Sequence, residues 1–424
     1  MENQNKKYII PIVMMFALFF MISFVTGLQN PMAVIVKNQF EISNFLSQLG
    51  NFANFIAYLC MGIPAGMMLQ KIGYKKTALT AIVVGFVGVG ISYLSGLISS
   101  FPVYLCGAFV SGFSMCMLNT VVNPMLNTLG GGGARGNQLL QIGGCCNSIG
   151  ATIVPVLVGA MIGDAARARM SDATPALFLA MGIFFLAFLV LFFMNIPEPH
   201  LQHNDDKKQP HSPYSFRHFN LGIIAIFIYV GVEVGIPNIM NLFLTSQETV
   251  GGLAVDAAVA GTVVGTYWFL MLIGRFIGAA VAAKFTSKHM LVFTTVCASI
   301  LVLLAIFMPQ TMVNMPVFKS DISFGLAEVP VNVIFLVLCG LCTSVMWGSI
   351  FNLAVEGLGK YTARASGIFM MMVCGGGLLP LLQGFVADKV GFMSSYFVVL
   401  VGVIYMLWYA IFGSKNVNKD IPVE

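Results

Sequence analysis

Twelve long apolar stretches dominate this sequence, and one polar segment at 197–217 divides them six and six. A helix needs roughly 20 apolar residues to cross the hydrocarbon core of a bilayer. Only 9% of the 424 residues are charged, against about 25% in soluble domains. We therefore predict an all-α membrane protein with two pseudo-symmetric six-helix bundles. The expected spans, numbered span 1 to span 12, are 8–31, 46–69, 77–98, 102–128, 137–163, 175–196, 218–245, 257–283, 289–309, 331–356, 363–387 and 391–413.

Lysine and arginine residues are unevenly distributed around these spans. If the N-terminus is cytoplasmic, 16 of the 21 fall on the cytoplasmic side and five on the outer side. Cytoplasmic loops carry the excess of these residues in membrane proteins, so both termini are predicted to be cytoplasmic. The net charge of +5 comes from residues at span ends, and we expect no nucleic-acid partner.

The polar segment is typical of a solvated linker, because it is rich in His, Asp, Lys and Pro. Its histidines lack the cysteines or helical spacing that would define a metal site, and the nine cysteines of the chain all lie in apolar stretches. We therefore expect no metal, cofactor or disulfide framework. The predicted division is a first bundle at 1–196, a cytoplasmic linker at 197–217 and a second bundle at 218–424.

The two halves repeat a pattern of helix-weakening residues. The order Gly-x4-Pro-x3-Gly occurs at Gly150 and Pro155 in span 5, and again at Gly375 and Pro380 in span 11. Matching interruptions in corresponding spans point to a transport path between two repeats, although Gly and Pro are also common in ordinary kinks. We predict alternating access, with gating residues Gly66, Lys71, Gly150, Pro155, Arg275, Glu356, Gly375 and Pro380.

Glu233 is the one acidic residue near the middle of a span. A carboxylate at that depth is expensive unless it faces a cavity or a partner, and so indicates function. It is our candidate for cation coupling; the alternative is a protonated Glu bonded to a neighbouring helix. Arg275 is the only basic residue well inside a span, and we place it toward the cytoplasmic end of span 8.

Uncharged amides are frequent within the spans. They offer donors and acceptors that suit the hydroxyl groups of a sugar, and aromatic rings can stack on its apolar face. Each amide could instead join two helices. Serine, histidine and aspartate do not cluster at membrane depth, so no catalytic residues and no enzyme are predicted. Asn238 and Asn241 of span 7 adjoin an expected helix break at Pro237. The predicted substrate-binding residues are Gln29, Asn30, Asn119, Asn123, Gln138, Gln141, Asn147, Asn238, Asn241, Tyr267, Trp347, Asn352 and Gln383.

Several short stretches resemble the fucose–galactose–glucose branch of the major facilitator superfamily, the group that includes bacterial fucose–proton symporters. The similarity runs over nearly the whole chain and implies a twelve-helix fold that rocks between two states. The stretches are Pro64–Gly66 with Lys71–Lys75, Asn123–Pro124, Asn147–Gly150, Tyr229–Glu233, Gly274–Gly278, Glu356–Gly359 and Gly375–Gly377.

Departures from that family affect the expected mechanism. Asn30 and Asn119 stand where the fucose symporters carry carboxylates, so proton coupling by that route is not expected. Gly144 replaces a glutamine of the fifth helix, and Gln70 replaces a usual aspartate between spans 2 and 3, where Lys71 and Glu356 are possible substitutes. Cation coupling would then depend on Glu233.

The expected function is import of a monosaccharide across a bacterial inner membrane by a monomer in the lipid bilayer, coupled to H⁺ or Na⁺. Three alternatives remain open. The chain could be a passive sugar uniporter, which the two asparagines favour. It could carry a different small solute, or it could be a membrane receptor that binds a ligand without moving it.

Overall fold

The computed structural model describes residues 2–41, 49–162, 169–198, 211–319, 323–418 and 420–423. Long helices occupy the predicted spans. They are Glu2–Phe40 (span 1), Leu49–Leu97 (spans 2 and 3), Phe101–Leu129 (span 4), Gly133–Ile162 (span 5), Met170–Phe193 (span 6), Arg217–Thr245 (span 7), Ala257–Val281 (span 8), Ser287–Phe307 (span 9), Val331–Thr343 and Met346–Val355 (span 10), Thr362–Met371 and Gly375–Val390 (span 11), and Phe392–Trp408 (span 12).

Ten helices of the described residues are long and apolar enough to cross a membrane. One of them, Phe52–Leu97, contains both span 2 and span 3, so these ten account for eleven predicted spans. Span 5 forms the remaining helix, Gly133–Ile162. The protein is thus a multi-pass helical membrane protein, as predicted from hydropathy. Most of the predicted linker, 199–210, lies outside the described residues.

A glycine turn separates span 2 from span 3. Gly73 has a φ of 84° and a ψ of 176°, a backbone conformation that residues with a side chain rarely adopt. The carboxylate of Glu198, at the start of the linker, accepts hydrogen bonds from the backbone N–H groups of Tyr74 and Lys75. The first N–H groups of a helix have no partner within it, so Glu198 satisfies two of them at the start of span 3.

Three spans have local features that affect the site. The expected break at Pro237 is wrong: span 7 is one continuous helix with this proline inside it. Span 10 is interrupted between Thr343 and Met346. Span 11 passes through a 3₁₀ turn at Met372–Cys374, immediately before Gly375, where the glycine pattern predicts weakening.

A β-hairpin between spans 9 and 10 was not anticipated. Strand β1, Met312–Phe318, pairs antiparallel with strand β2, Phe324–Pro330, so that Met312 faces Pro330. The hairpin packs on span 8, because the N–H of Phe318 donates to Thr266 Oγ1 at 2.8 Å and the Phe318 ring stacks on Phe269.

The two matching glycines have the same packing role in their own halves. A Cβ added at Gly150 would collide with Ser23 of span 1, and one at Gly375 would collide with the backbone of Phe227 in span 7. Small residues allow such close helix contacts in membranes. Span 5 therefore packs on span 1 as span 11 packs on span 7, which is the expected pseudo-symmetry. Their role in gating remains a prediction.

Glycines also bring the two halves together. A Cβ at Gly66 would lie 3.0 Å from the Cα of Gly367, so span 2 crosses span 11 with their backbones in contact. This crossing lies near the ends of the helices that adjoin the linker. We call this side of the protein, with segments 70–76, 130–136, 282–288 and 356–361, the linker face.

Candidate functional site

Glu233 and Arg275 form an ion pair between spans 7 and 8. Arg275 Nη2 lies 3.3 Å from Glu233 Oε1, and the two side chains are 12% and 14% exposed. Sequence reasoning placed Arg275 toward the end of span 8 and gave it no partner; its long side chain reaches the carboxylate one helix away. A buried charge normally requires such a partner, and the residual exposure leaves the pair accessible to water.

Pro237 of span 7 accounts for a hydrogen bond between Tyr267 and the backbone of Glu233. Proline has no N–H group, so it leaves the carbonyl four residues earlier in the helix without its usual donor. That carbonyl belongs to Glu233, and Tyr267 Oη donates to it at 3.1 Å. The same hydroxyl lies 3.2 Å from Thr343 Oγ1 of span 10. Tyr267, predicted to bind substrate, thus holds spans 7, 8 and 10 together.

Tyr229 lies one turn before Glu233 on the same face of span 7. Its hydroxyl is 2.9 Å from Glu233 Oε1 and 3.1 Å from the carbonyl oxygen of Thr343. Thr343 ends the first helical segment of span 10, and the last carbonyls of a helix lack partners within it. Tyr229 therefore stands between the carboxylate and the interruption of span 10.

Arg275 also reaches into the first half of the protein. Its Nη1 donates to the carbonyl of Gly144 at 3.1 Å and to Ser148 Oγ at 2.6 Å. A Cβ at Gly144 would lie 3.4 Å from Arg275 Cδ, so a longer side chain here would meet the arginine. The guanidinium thus joins Glu233 in the second half to span 5 in the first.

The predicted amides of span 4 connect to this ion pair through Trp347 and Tyr229. Asn119 Nδ2 donates to Tyr58 Oη of span 2 at 2.9 Å, and Asn123 Nδ2 donates to the carbonyl of Asn119 at 2.8 Å. Trp347 Nε1 of span 10 donates to Asn123 Oδ1 at 3.1 Å, and its ring contacts that of Tyr229 edge-on. We call the connected set of residues the central network: Tyr58, Asn119, Asn123, Ser148, Tyr229, Glu233, Tyr267, Arg275, Thr343 and Trp347.

A second group of amides joins the two halves nearer the linker face. Asn127 donates to Asn352 Oδ1, and Asn352 Nδ2 donates to Ser287 Oγ at 2.7 Å and to the carbonyl of Gly133 at 3.1 Å. Gln141 Nε2 donates to the carbonyl of Val345 at 2.9 Å, inside the interruption of span 10. These contacts close the linker face between the halves.

Other predicted residues lie at different places. Gln138 contacts the carbonyl of Ala279 at 3.4 Å, again between the halves. Asn147 and Asn241 are partly exposed, Asn238 is exposed, and Gln383 is buried against Gly235 of span 7 rather than in the central network. The side chains of Gln29, Asn30 and Pro155 lie outside the described residues.

The suggested substitute contact at the linker face is not seen among the described residues. Lys71 is exposed, and Glu356 contacts His218 through its backbone carbonyl, at 2.9 Å. The acidic group that binds the turn between spans 2 and 3 is Glu198, which reasoning from the sequence had assigned to a solvated linker.

Sequence reasoning missed four residues of the central network: Tyr58, Ser148, Tyr229 and Thr343. Tyr229 had a usable signal, because it is four residues from Glu233 and so shares its helix face. The others are brought to the site by contacts between distant helices, and no local pattern marks them.

Comparisons with known proteins agree with this arrangement. Residues 15–380 match the family model described as Major Facilitator Superfamily. The chain is 29% identical to a glucose/galactose transporter of Brucella abortus, over 98% of this chain and 96% of that protein. It is 24% identical to the L-fucose-proton symporter of Escherichia coli, over 92% and 89%. The crystal structure of the transporter FucP in the outward conformation has the same fold, with a TM-score of 0.82 at 22% identity, covering 96% of this chain and 100% of that one.

Proposed function

This chain belongs to the Major Facilitator Superfamily, and we propose that it imports a monosaccharide together with a proton by alternating access. The observation that carries the proposal is the central network, which places amides, aromatic rings and one ion pair between the two halves. The relatives named for glucose, galactose and fucose transport support a hexose or deoxyhexose as the substrate.

The sugar site is built from the amides and rings of the central network. Asn119 and Asn123 from the first half and Trp347 from the second are already fixed by hydrogen bonds to one another and to Tyr58. Fixed donors and acceptors favour binding, because less freedom is lost when the ligand arrives. Gln29 and Asn30 remain proposed members of this site, whereas Gln138, Gln141 and Asn352 are better suited to closing the linker face.

Glu233 is the proposed proton carrier. Asn119, at a family carboxylate position, is an amide bonded to Tyr58 and cannot titrate. Arg275 lies 3.3 Å from Glu233, and a permanent positive charge at this distance opposes a metal cation such as Na⁺. A proton meets the same opposition, but it binds covalently to a carboxylate oxygen and needs no set of oxygen ligands around it, which the described residues next to Arg275 do not offer.

The charge distribution supports one membrane orientation. We propose a bacterial inner membrane, with the linker face and both termini cytoplasmic, and a monomer divided at 1–196, 197–217 and 218–424. With the linker face closed by Asn127, Gln141 and Asn352, we assign this arrangement to the state before release into the cytoplasm.

Proteoliposome uptake tests this function. The wild type should accumulate labelled glucose, galactose or fucose when an inward proton gradient is imposed. Glu233→Gln keeps the size of the side chain but cannot release a proton, so accumulation should be lost while counterflow exchange of the sugar persists. Glu248→Gln is the matched control, because Glu248 is an exposed acid between spans 7 and 8, and it should accumulate sugar as the wild type does.

The same assay separates the rival functions. Wild-type counterflow without gradient-driven accumulation would establish a passive uniporter, which Asn119 favours. Absence of both activities for every hexose and deoxyhexose tested would reject a sugar substrate. Full accumulation by Glu233→Gln would remove Glu233 from coupling.

A further inference from the structure

Tyr229 has one phenolic hydrogen and two acceptors within reach. The hydroxyl lies 2.9 Å from the carboxylate of Glu233 and 3.1 Å from the carbonyl of Thr343. A phenol carries a single donor, so it can donate fully to only one of them at a time. Which acceptor receives the hydrogen depends on whether Glu233 is itself a donor.

From this geometry we propose that Tyr229 is a positioning residue that transmits the protonation state of Glu233 to the interruption of span 10. The inference rests on the proposed proton coupling. When Glu233 is ionised, Tyr229 donates to the carboxylate and the carbonyl of Thr343 loses its phenolic partner. When the carboxylate takes a proton from solvent water, its new O–H donates to Tyr229 Oη, and Tyr229 turns its own hydrogen to Thr343. No proton passes through the phenol, and each step reverses when Glu233 returns its proton to water.

The interruption of span 10 is placed to convert this exchange into movement. Thr343 lies directly before it, and the carbonyl of Val345 within it holds Gln141 of the first half. Trp347, directly after it, holds Asn123. A hydrogen bond that pulls Thr343 toward span 7 therefore acts on residues next to the contacts that close the linker face.

The ion pair changes in the same step. Neutralising Glu233 removes the charge that holds Arg275 between spans 7 and 8, while Arg275 also holds Gly144 and Ser148 of the first half. Loss of the ion pair weakens the link that Arg275 makes between span 7 and span 5 of the first half, while the new bond to Thr343 draws on span 10 next to its own contacts with the first half. Protonation of Glu233 should therefore favour opening of the linker face.

Few other titratable groups face this site among the described residues. Span 8 contributes Arg275 and Tyr267, and the thiol of Cys145 on span 5 lies near Arg275. On span 10, the thiols of Cys339 and Cys342 lie near Tyr267. The ordinary pKa of these thiols and phenols lies above pH 8. His218 contacts the carbonyl of Glu356 at the end of span 10 and has an ordinary pKa between 5.5 and 7.5. The part of a pH response that Tyr229→Phe and Glu233→Asp abolish is therefore the part assigned to Glu233.

A thiol at the linker face measures the effect without sugar. Asn137 is fully buried where span 5 meets Met290 of span 9, so the thiol of N137C reacts with a water-soluble maleimide only when the halves separate. Labelling rates of the full chain in liposomes at pH 5.5 and 7.5 are divided by those of the denatured protein at the same pH, which removes the reactivity of the thiol itself. The chain without N137C gives the background from the native cysteines.

We expect acid to increase the normalised rate about tenfold, the size of an ordinary coupling between two sites. Tyr229→Phe keeps the ring beside Trp347 but loses the hydroxyl, and the response should fall below about twofold. Tyr396→Phe is the matched control: it removes a buried hydroxyl that donates to the carbonyl of Ile236 on span 7 at 2.9 Å, outside the central network, and the response should remain.

A second variant tests the proposal independently if Tyr229→Phe fails to fold. Glu233→Asp keeps a titratable group but withdraws it by one methylene from Tyr229, so it should also lose the response. A response retained in Tyr229→Phe or in Glu233→Asp, or absent from the wild type, overturns the proposal. Because the assay contains no sugar, none of these outcomes bears on the identity of the substrate. Likewise, a failure of sugar uptake would not change the interpretation of the labelling rates.

Discussion

At the scale of single residues, Trp347 joins the two halves through its side chain. Its Nε1 donates to Asn123 Oδ1 at 3.1 Å, and its ring contacts Tyr229 and Phe369. The indole therefore fixes the orientation of an amide that we assign to the sugar site.

Trp347→Phe should weaken sugar binding while leaving the ring contacts largely in place. Loss of one hydrogen bond corresponds to about 1 kcal/mol, or about fivefold in affinity. The half-saturation concentration for counterflow should rise by that factor. The control is Trp408→Phe, which changes an exposed tryptophan of span 12 and should leave the half-saturation concentration unchanged. Equal half-saturation values in both variants would remove Trp347 from the site.

Individual residues also show how far the sequence could predict the site. Glu233 was identifiable alone, because a carboxylate in the middle of an apolar span is rare. Its pairing with Arg275 was not, since the two are 42 residues apart and only the packing of spans 7 and 8 brings them together. For the amides, the sequence supplied the residue types, whereas the contacts between helices decided which of them point to the centre and which close the linker face.

At the scale of elements, Glu198 ties the start of the linker to the start of span 3. It accepts from two backbone N–H groups next to Gly73, and a negative charge at a helix N-terminus is additionally favourable. This contact fixes the turn between spans 2 and 3 on the linker face.

Glu198→Ala should destabilise the first half by about 1–2 kcal/mol, the usual effect of losing a helix cap. The Tm in detergent should fall by a few degrees. Glu198→Gln keeps an acceptor but no charge, so its Tm should fall less. Glu356→Ala removes an exposed side chain and should leave the Tm unchanged. An unchanged Tm in Glu198→Ala would show that the carboxylate does not support the turn.

Hydropathy predicted the elements that cross the membrane better than the features within them. Apolar length located the spans because the bilayer imposes it. It gave no sign of the interruption at Ser344–Val345, where no proline or glycine stands, or of the hairpin of β1 and β2, whose pairing depends on contacts with span 8. Conversely, Pro237 predicted a helix break that the structure does not have. Tyr267 supplies a donor to the carbonyl that the proline leaves free, so the helix continues.

At the scale of the whole molecule, the two halves are similar in packing but are joined by different contacts. Gly150 and Gly375 serve equivalent helix crossings within each half, whereas Gly66 and Gly367 meet across them. The contacts across the halves include backbone proximity, amides and one guanidinium, and each of these polar groups can bind water when the halves separate. Such an interface suits a protein that must repeatedly close and open.

The pairing of Glu233 with Arg275 also has an electrical consequence. The empty pair carries no net charge, whereas protonation leaves one positive charge in the core of the protein. A charge that crosses the whole membrane gains about 2.3 kcal/mol per 100 mV, so an interior-negative voltage should accelerate the loaded inward step and have little effect on the empty return. Uptake into proteoliposomes at equal pH on both sides should therefore increase with an imposed potassium diffusion potential; uptake independent of voltage would show that the loaded carrier moves as a neutral particle.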